Sequence, residues 1–272
     1  MDTEAEAMDD DLPTWAARLR ARALAAPLRP RAGLHASGDP VPFGSLEPAL
    51  AQALVEAGLP LRRVDDRWEV GTPLDAALER IARWLSEHVL GNRWRGELLP
   101  VRDDAGRELG AIERAVVRPL GLATHAVHLV GETADGRVWV QQRALDKAVD
   151  PGLWDTLMGG LMAAGETLAT TLERETWEEA GLRLAQLDRL AGFGRLTARR
   201  PVADGYMVEH IHCYEARVPD GVSPLNQDGE VLRFEAVDPE TLEQRLRADA
   251  FTLEAAMVLL RRQEHHRGRS AQ

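Results

Sequence analysis

Between Gly160 and Leu182 the chain carries Glu166, Glu173, Glu175, Glu178 and Glu179, with Arg174 among them. Thr167 is a good N-cap, and the residues after it suit a helix closed by Gly181. At about 100° per residue, Leu168, Leu172, Glu175 and Glu179 fall on one narrow stripe, with Glu178 on its flank. The two leucines predict that this stripe faces a core or a cleft. Carboxylates one turn apart repel, and burying one unpaired is costly. A cation beside them removes both penalties. Mg²⁺ suits the hard oxygen donors and commonly bridges carboxylates to substrate phosphates. Arg174 can brace the carboxylates from the side, and the glycines before the helix let backbone approach a metal or a phosphate closely. The competing reading is an acidic helix face turned to water, which is the usual fate of a Glu-rich surface.

The whole spacing decides between them. It runs G-x5-E-x7-R-E-U-x-E-E-x-G-U, where U is a bulky apolar residue, and this stretch resembles the Nudix box. Gly160, Glu166, Arg174, Glu175, Glu178, Glu179 and Gly181 meet every fixed position, and Leu182 fills the last apolar place. The one departure is Thr176 in the first apolar place, where its methyl can still pack. The resemblance implies an α/β/α sandwich with a loop-helix-loop metal site. It implies Glu175 and Glu179 as metal ligands, joined by Glu178 or with Glu178 activating water. The Gly160 carbonyl becomes a further ligand, and Glu166 acts through water or a second ion. The implied cofactor is Mg²⁺, with Mn²⁺ as the alternative ion. The implied reaction is cleavage of a diphosphate linkage in a small organic molecule by in-line attack of activated water on phosphorus.

Looser segments resemble the Nudix group found beside thiamine pyrophosphokinase, which carries an N-terminal extension. They are Phe43–Gly44, Trp94–Val101, Glu113–Ala115, Gly121–Leu122, His125–Leu129, Trp139–Arg143, Lys147, Pro151–Gly152 and Asp228–Val231. That likeness implies a thiamine diphosphate analogue as substrate, with nucleoside diphosphate derivatives left open. Isopentenyl-diphosphate isomerase shares the fold and is the alternative enzyme. Such isomerases use a cysteine upstream of the box, whereas the only cysteine here, Cys213, lies downstream. A non-catalytic ligand sensor on the same fold usually has a degraded box, and this one is intact.

Other residues carry weaker signals. Glu230, before a strand, is a candidate base or ligand against the reading of a solvated turn; Glu209 is a second of the same kind. Arg143 and Lys147 can hold phosphate oxygens or be ordinary surface charge. His125 and His128 are three apart in a strand, so they point to opposite faces and suit core or hydrogen-bonding roles. His210 and His212 share a face, but no third ligand for a zinc ion is evident. Trp94 and Arg95 could wall a ring-binding site, or Trp94 could pack in a core.

These residues need elements to position them. The predicted helices are Leu12–Leu28, Glu47–Gly58, Pro73–Leu90 capped by Thr72, Thr167–Ala180, Pro239–Arg247 and Leu253–Arg262. The predicted strands are Leu61–Val64 with Arg67–Val70, Arg95–Arg102, Ala123–Glu132 with Arg137–Arg143, Val208–Val218 and Val231–Val237, while Trp154–Met162 reads as strand or loop. The pattern changes near Gly121. Residues 1–11 are expected as a disordered acidic tail, 12–120 as a smaller N-terminal α+β unit, 121–262 as the α/β sandwich and 263–272 as a flexible tail. The N-terminal unit is open to three roles: substrate lid, homodimer interface or specificity wall.

The 272 residues, 44% of them hydrophobic, suffice for a buried core. A net charge of −11 argues against a nucleic-acid partner, and no apolar run is long enough for a membrane span. One cysteine and no apolar N-terminal leader fit a reducing cytoplasm.

Overall fold

The computed structural model describes residues Thr14 to Ser270; the expected acidic tail, residues 1–11, lies outside the described residues. The first helix, α1 (Thr14–Ala23), buries Ala16, Leu19 and Ala23 at helical spacing. A small four-stranded sheet follows, built from β1 (Ala32–Ala36), β2 (Pro42–Leu46), β3 (Leu61–Val64) and β4 (Arg67–Val70) in the order β2-β1-β4-β3. Helix α2 (Pro48–Glu56) connects β2 to β3, and α3 (Leu74–His88) packs against the hairpin of β5 (Leu98–Arg102) and β6 (Glu108–Glu113). Leu34, Phe43, Leu54, Ile81, Leu85 and Ile112 are among the residues buried in this unit's core. Thr72 does not cap α3. Pro73 takes the N-cap place in an extended conformation and makes no side-chain cap bond.

A short 3-10 turn at Arg114–Val116 leads into the large sheet. Its strands are β7 (Ala123–Glu132), β8 (Val138–Arg143), β9 (Trp154–Asp155), β10 (Met158–Leu161), β11 (Asp188–Val202), β12 (Gly205–Arg217) and β13 (Val231–Val237). The order is β11-β12-β7-β8-β13, with β10 paired to β7 and β9 to β8. Between β10 and β11 lies α4 (Leu168–Ala180), and after β13 come α5 (Pro239–Arg247) and α6 (Leu253–Ser270). β7 is buried on both faces. Its Val127 and Leu129 meet Leu172 of α4, while Ala126 and Val130 meet α6 residues such as Val258. This is the three-layer α/β/α arrangement that the sequence led us to expect. Among the described residues no helix is long and apolar enough to cross a membrane.

Features that differ from expectation include the strands β1, β2 and β6, which no expected strand covers. β11 was not anticipated, because Gly192, Gly194 and several charged residues hide any alternation in a largely exposed edge strand. α6 continues to Ser270 instead of giving way to a loose tail at residue 263. Arg262 bonds Glu215 and Glu132 at 2.9 and 3.0 Å, and Glu264 pairs with Arg20 of α1, so ion pairs hold the last turns. α1 itself adds Ala16, Leu19 and Ala23 to the same core as α6, although it precedes the small sheet.

Candidate functional site

α4 forms where its caps predict. The Thr167 hydroxyl accepts from the Thr170 N–H at 3.2 Å, and Gly181 closes the helix with φ 63°. Packing of Leu172 turns the stripe inward, and Glu179 goes with it to 3% exposure. The Glu179 carboxylate accepts from the Gln141 amide at 2.8 Å and from the Gly159 N–H at 3.0 Å. These two bonds do not offset the loss of water. Burial, then the neighbouring Glu175, pushes its carboxyl up to about 8. Glu175 is raised as well, again mainly by burial. Gly160 shows why a glycine precedes this helix. A Cβ there would lie 2.0 Å from the Glu175 carboxyl carbon, so only a bare backbone lets that carboxylate rest against β10.

Arg174 is the hub of the remaining contacts. It donates to Glu166 at 2.6 and 2.9 Å, to Glu175 at 2.8 Å, to Glu178 at 2.9 Å and to the Leu161 carbonyl at 3.1 Å. Hydrogen bonds from Arg174 hold the Glu166 carboxyl down at about 2. Glu178 is half-exposed at the rim. Three carboxylates therefore share one guanidinium, and Glu179 lies beside them without a bond to it; Glu175 and Glu179 are the desolvated pair. The surplus negative charge and the oxygen donors fit a divalent cation. The side chains as placed converge on Arg174. Among the described residues no three His, Cys, Asp or Glu side chains meet around a common point. Holding an ion requires Glu175 and its neighbours to turn from Arg174.

The other sequence candidates are distributed around this cluster. Lys147 forms an ion pair with Glu230 and lies within electrostatic reach of Glu179, so the loop after β8 hangs beside the carboxylates. Glu230 reaches the site only through Lys147. Arg143 turns inward: it sits 3.5 Å from Asp155 and donates to the Val149 carbonyl at 3.1 Å. His128 is buried, with Nδ1 3.0 Å from the Thr156 hydroxyl. His125 lies 3.3 Å from His212, its ring 5.2 Å from that of His210. The register β7–β12, which sets His125 beside His210, thus adds a third histidine that spacing in sequence could not show. Trp94 is neither core nor wall; it is 44% exposed and stacks with Arg83.

A cleft opens where the N-terminal unit meets β7, β10 and β12. Leu161, Thr124 and Glu209 line it from the large sheet, and Arg95, Arg114 and Arg118 from the other side. Glu209 sits at its floor, 3.2 Å from the Thr124 hydroxyl, and burial pushes its carboxyl up to about 7. Sequence reading missed Gln141 and Gly159 as partners of Glu179, since an amide in a strand and a second glycine carry no signal of their own. It also missed Arg114 and Arg118, which look like any surface charge until the fold brings them together.

The family model described as NUDIX domain matches residues 120–266. Nudix hydrolase 24, chloroplastic, of Arabidopsis thaliana is 28% identical over 181 residues, which are 63% of this chain and 50% of that one. Nudix hydrolase 20, chloroplastic, of the same organism is 31% identical over 147 residues, 53% of this chain and 39% of that one. The chain thus spans half or less of the length of these two relatives. An isopentenyl-diphosphate Delta-isomerase of Agromyces mediolanus is 32% identical over 168 residues, 60% of this chain and 78% of that one.

Proposed function

This chain belongs to the NUDIX family, and from that premise we propose that it hydrolyses the diphosphate linkage of a small organic diphosphate with the help of Mg²⁺ or Mn²⁺. The observation that carries the proposal is the pair Glu175 and Glu179. Both are desolvated, both are raised toward protonation, and one is seated on the bare backbone of Gly160. Such a pair is costly without a cation and useful with one. Bound there, the ion supplies charge neutralisation to the diphosphate and acidifies a water.

The chain's own residues do the rest. Glu175 and Glu179 hold the ion, with the Gly160 carbonyl and Glu166 beside them. Glu178, at the exposed rim, takes the proton of the attacking water. Arg174 orients Glu166 through its two bonds and holds Glu175 and Glu178 while no ion is bound. Lys147 is placed to meet phosphate oxygens, with Glu230 fixing it from behind, while Arg143 is committed to Asp155 and the loop carbonyl. Thiamine diphosphate analogues are the leading candidate substrates.

The isomerase reading has one observation for it, the Agromyces relative, and one against it. Cys213 is the chain's single cysteine; it is buried in β12 on the α6 side, and burial pushes its thiol up to about 12. Such a thiol is no proton donor to a substrate in the cleft.

The test is a Mg²⁺-dependent screen of organic diphosphates, including thiamine diphosphate and its oxidised analogues, with Glu179→Gln run in parallel. Phosphate release by the native protein should fall ~10²-fold or more in the variant, because one substitution removes both charge neutralisation and water activation. Equal turnover by the two proteins overturns the assignment.

A further inference from the structure

The cleft has a wall that the hydrolytic site does not account for. Arg93, Arg95, Arg114 and Arg118 all line it, and all come from the segment before the large sheet. The protein carries a net charge of −11, so four guanidiniums along one cleft reverse the sign locally. Only Asp204 and Glu209 share the lining as acidic groups. Arg118 lies 3.5 Å from Asp204, and Arg114 is 2.7 Å from Glu97. Arg93 donates to the Leu90 carbonyl at 3.0 Å; neither it nor Arg95 forms an ion pair among the described residues.

The wall is pre-organised. The buried carboxylate of Glu113 accepts the backbone N–H groups of Arg95, Gly96 and Ala115 at 2.7, 3.1 and 3.2 Å. One side chain thereby clamps the two arginine-bearing segments to each other. The wall adjoins the carboxylate cluster through Leu161. Leu161 lines the cleft directly after Gly160, and its carbonyl accepts from Arg174. Val149 lines the cleft from the same loop as Lys147. Between the charges the lining is aliphatic, and it includes no aromatic side chain.

We propose that this arginine wall recognises a second anionic group, carboxylate or phosphate, on the organic part of the substrate. The N-terminal unit then sets specificity, and the proposal rests on the hydrolase reading for what binds at the adjoining carboxylate cluster. Guanidinium groups suit planar, bidentate recognition of oxyanions. A cationic organic part, such as the thiazolium ring of intact thiamine diphosphate, meets like charge here, so a thiamine diphosphate analogue suits the wall only where its ring has lost that charge and carries an acidic group.

The probes are non-cleavable phenyl methylenediphosphonates with Mg²⁺: unsubstituted, para-carboxylate, para-phosphate and para-trimethylammonium. Calorimetry compares the full-length native chain with Arg95→Gln/Arg114→Gln and with Arg93→Gln, each checked by thermal melting. The native protein should bind at least one of the two anionic probes about tenfold more tightly than the unsubstituted one, the scale of one charge-assisted hydrogen bond. It should bind the ammonium probe more weakly. Which anionic probe gains identifies the group. In the variants the ratios should shrink toward one. Equal affinity for all probes, no binding of any, or ratios retained in both variants overturns the proposal. Phosphate release from the matching cleavable diphosphates is then measured. No release with the binding ratios intact refutes the hydrolase reading and leaves the wall standing.

Discussion

Replacing Gly160 by alanine adds one methyl group at the point where β10 and the carboxylate helix α4 touch. An ideal Cβ lies 2.0 Å from the Glu175 carboxyl carbon and 2.3 and 2.4 Å from its oxygens, where ordinary contact begins at 3.4 Å. The carboxylate must retreat by roughly 1 Å or more, and a misplacement of that size costs ~10²-fold in rate. The backbone at Gly160 is outside the left-handed region, so alanine adds no conformational strain of its own. What it strikes is the far end of a flexible side chain, so the stability cost should stay near ~1–3 kcal/mol. Gly160→Ala should therefore fold, melt somewhat lower than the native protein and lose most Mg²⁺-dependent phosphate release. Gly159→Ala is the contrast. Its Cβ would lie 2.6 Å from the buried His128 ring on the opposite face, so stability should suffer first. Melting curves and initial rates on both variants separate the two effects. Native turnover by Gly160→Ala would refute the idea that Glu175 works from its seat on β10.

Three further outcomes follow from the geometry. Burial pushes His125 and His210 down to about 4. A histidine with a depressed folded value adds stability above its unfolded value of ~6.5, and that stability is lost as pH falls toward the folded value. Melting temperature should drop between those limits, less steeply in His125→Gln/His210→Gln; an unchanged slope counts against the cluster as an acid-sensitive element. Gly205 has φ 150°, and a Cβ there would lie 2.3 Å from the Arg118 carbonyl oxygen, which is backbone and cannot swing away. Gly205→Ala should cost ~1–3 kcal/mol or more in urea unfolding, and a loss under half that would show that the β11–β12 turn is not held against residue 118. Thr167→Ala removes the N-cap of α4 and should lower stability by ~1 kcal/mol, read as a lower midpoint with an unchanged denaturant slope.

The carboxylate helix was legible in the sequence because its determinants are local. Thr167, Gly181 and the Leu168, Leu172, Glu175, Glu179 stripe fix its ends and its inward face, and the box spacing carries the family resemblance. The strands around Ala123–Arg143 were legible for the same reason, since apolar, β-branched runs and the Ala134–Gly136 turn act over a few residues. Elements whose signal is not local escaped. β11 alternates too poorly to be seen alone, and it forms because β12 offers it a partner along its length. The last turns of α6 are polar, and ion pairs to Glu215, Glu132 and Arg20 keep them helical. Only the tertiary structure decided that Gln141 and the Gly159 N–H serve Glu179, that His125 joins His210 and His212, and that Arg93, Arg95, Arg114 and Arg118 line one cleft. Those contacts depend on strand register and on packing between units distant in sequence. Hydrogen bonds and charges then act over a few ångströms of space, whatever the length of chain between the groups.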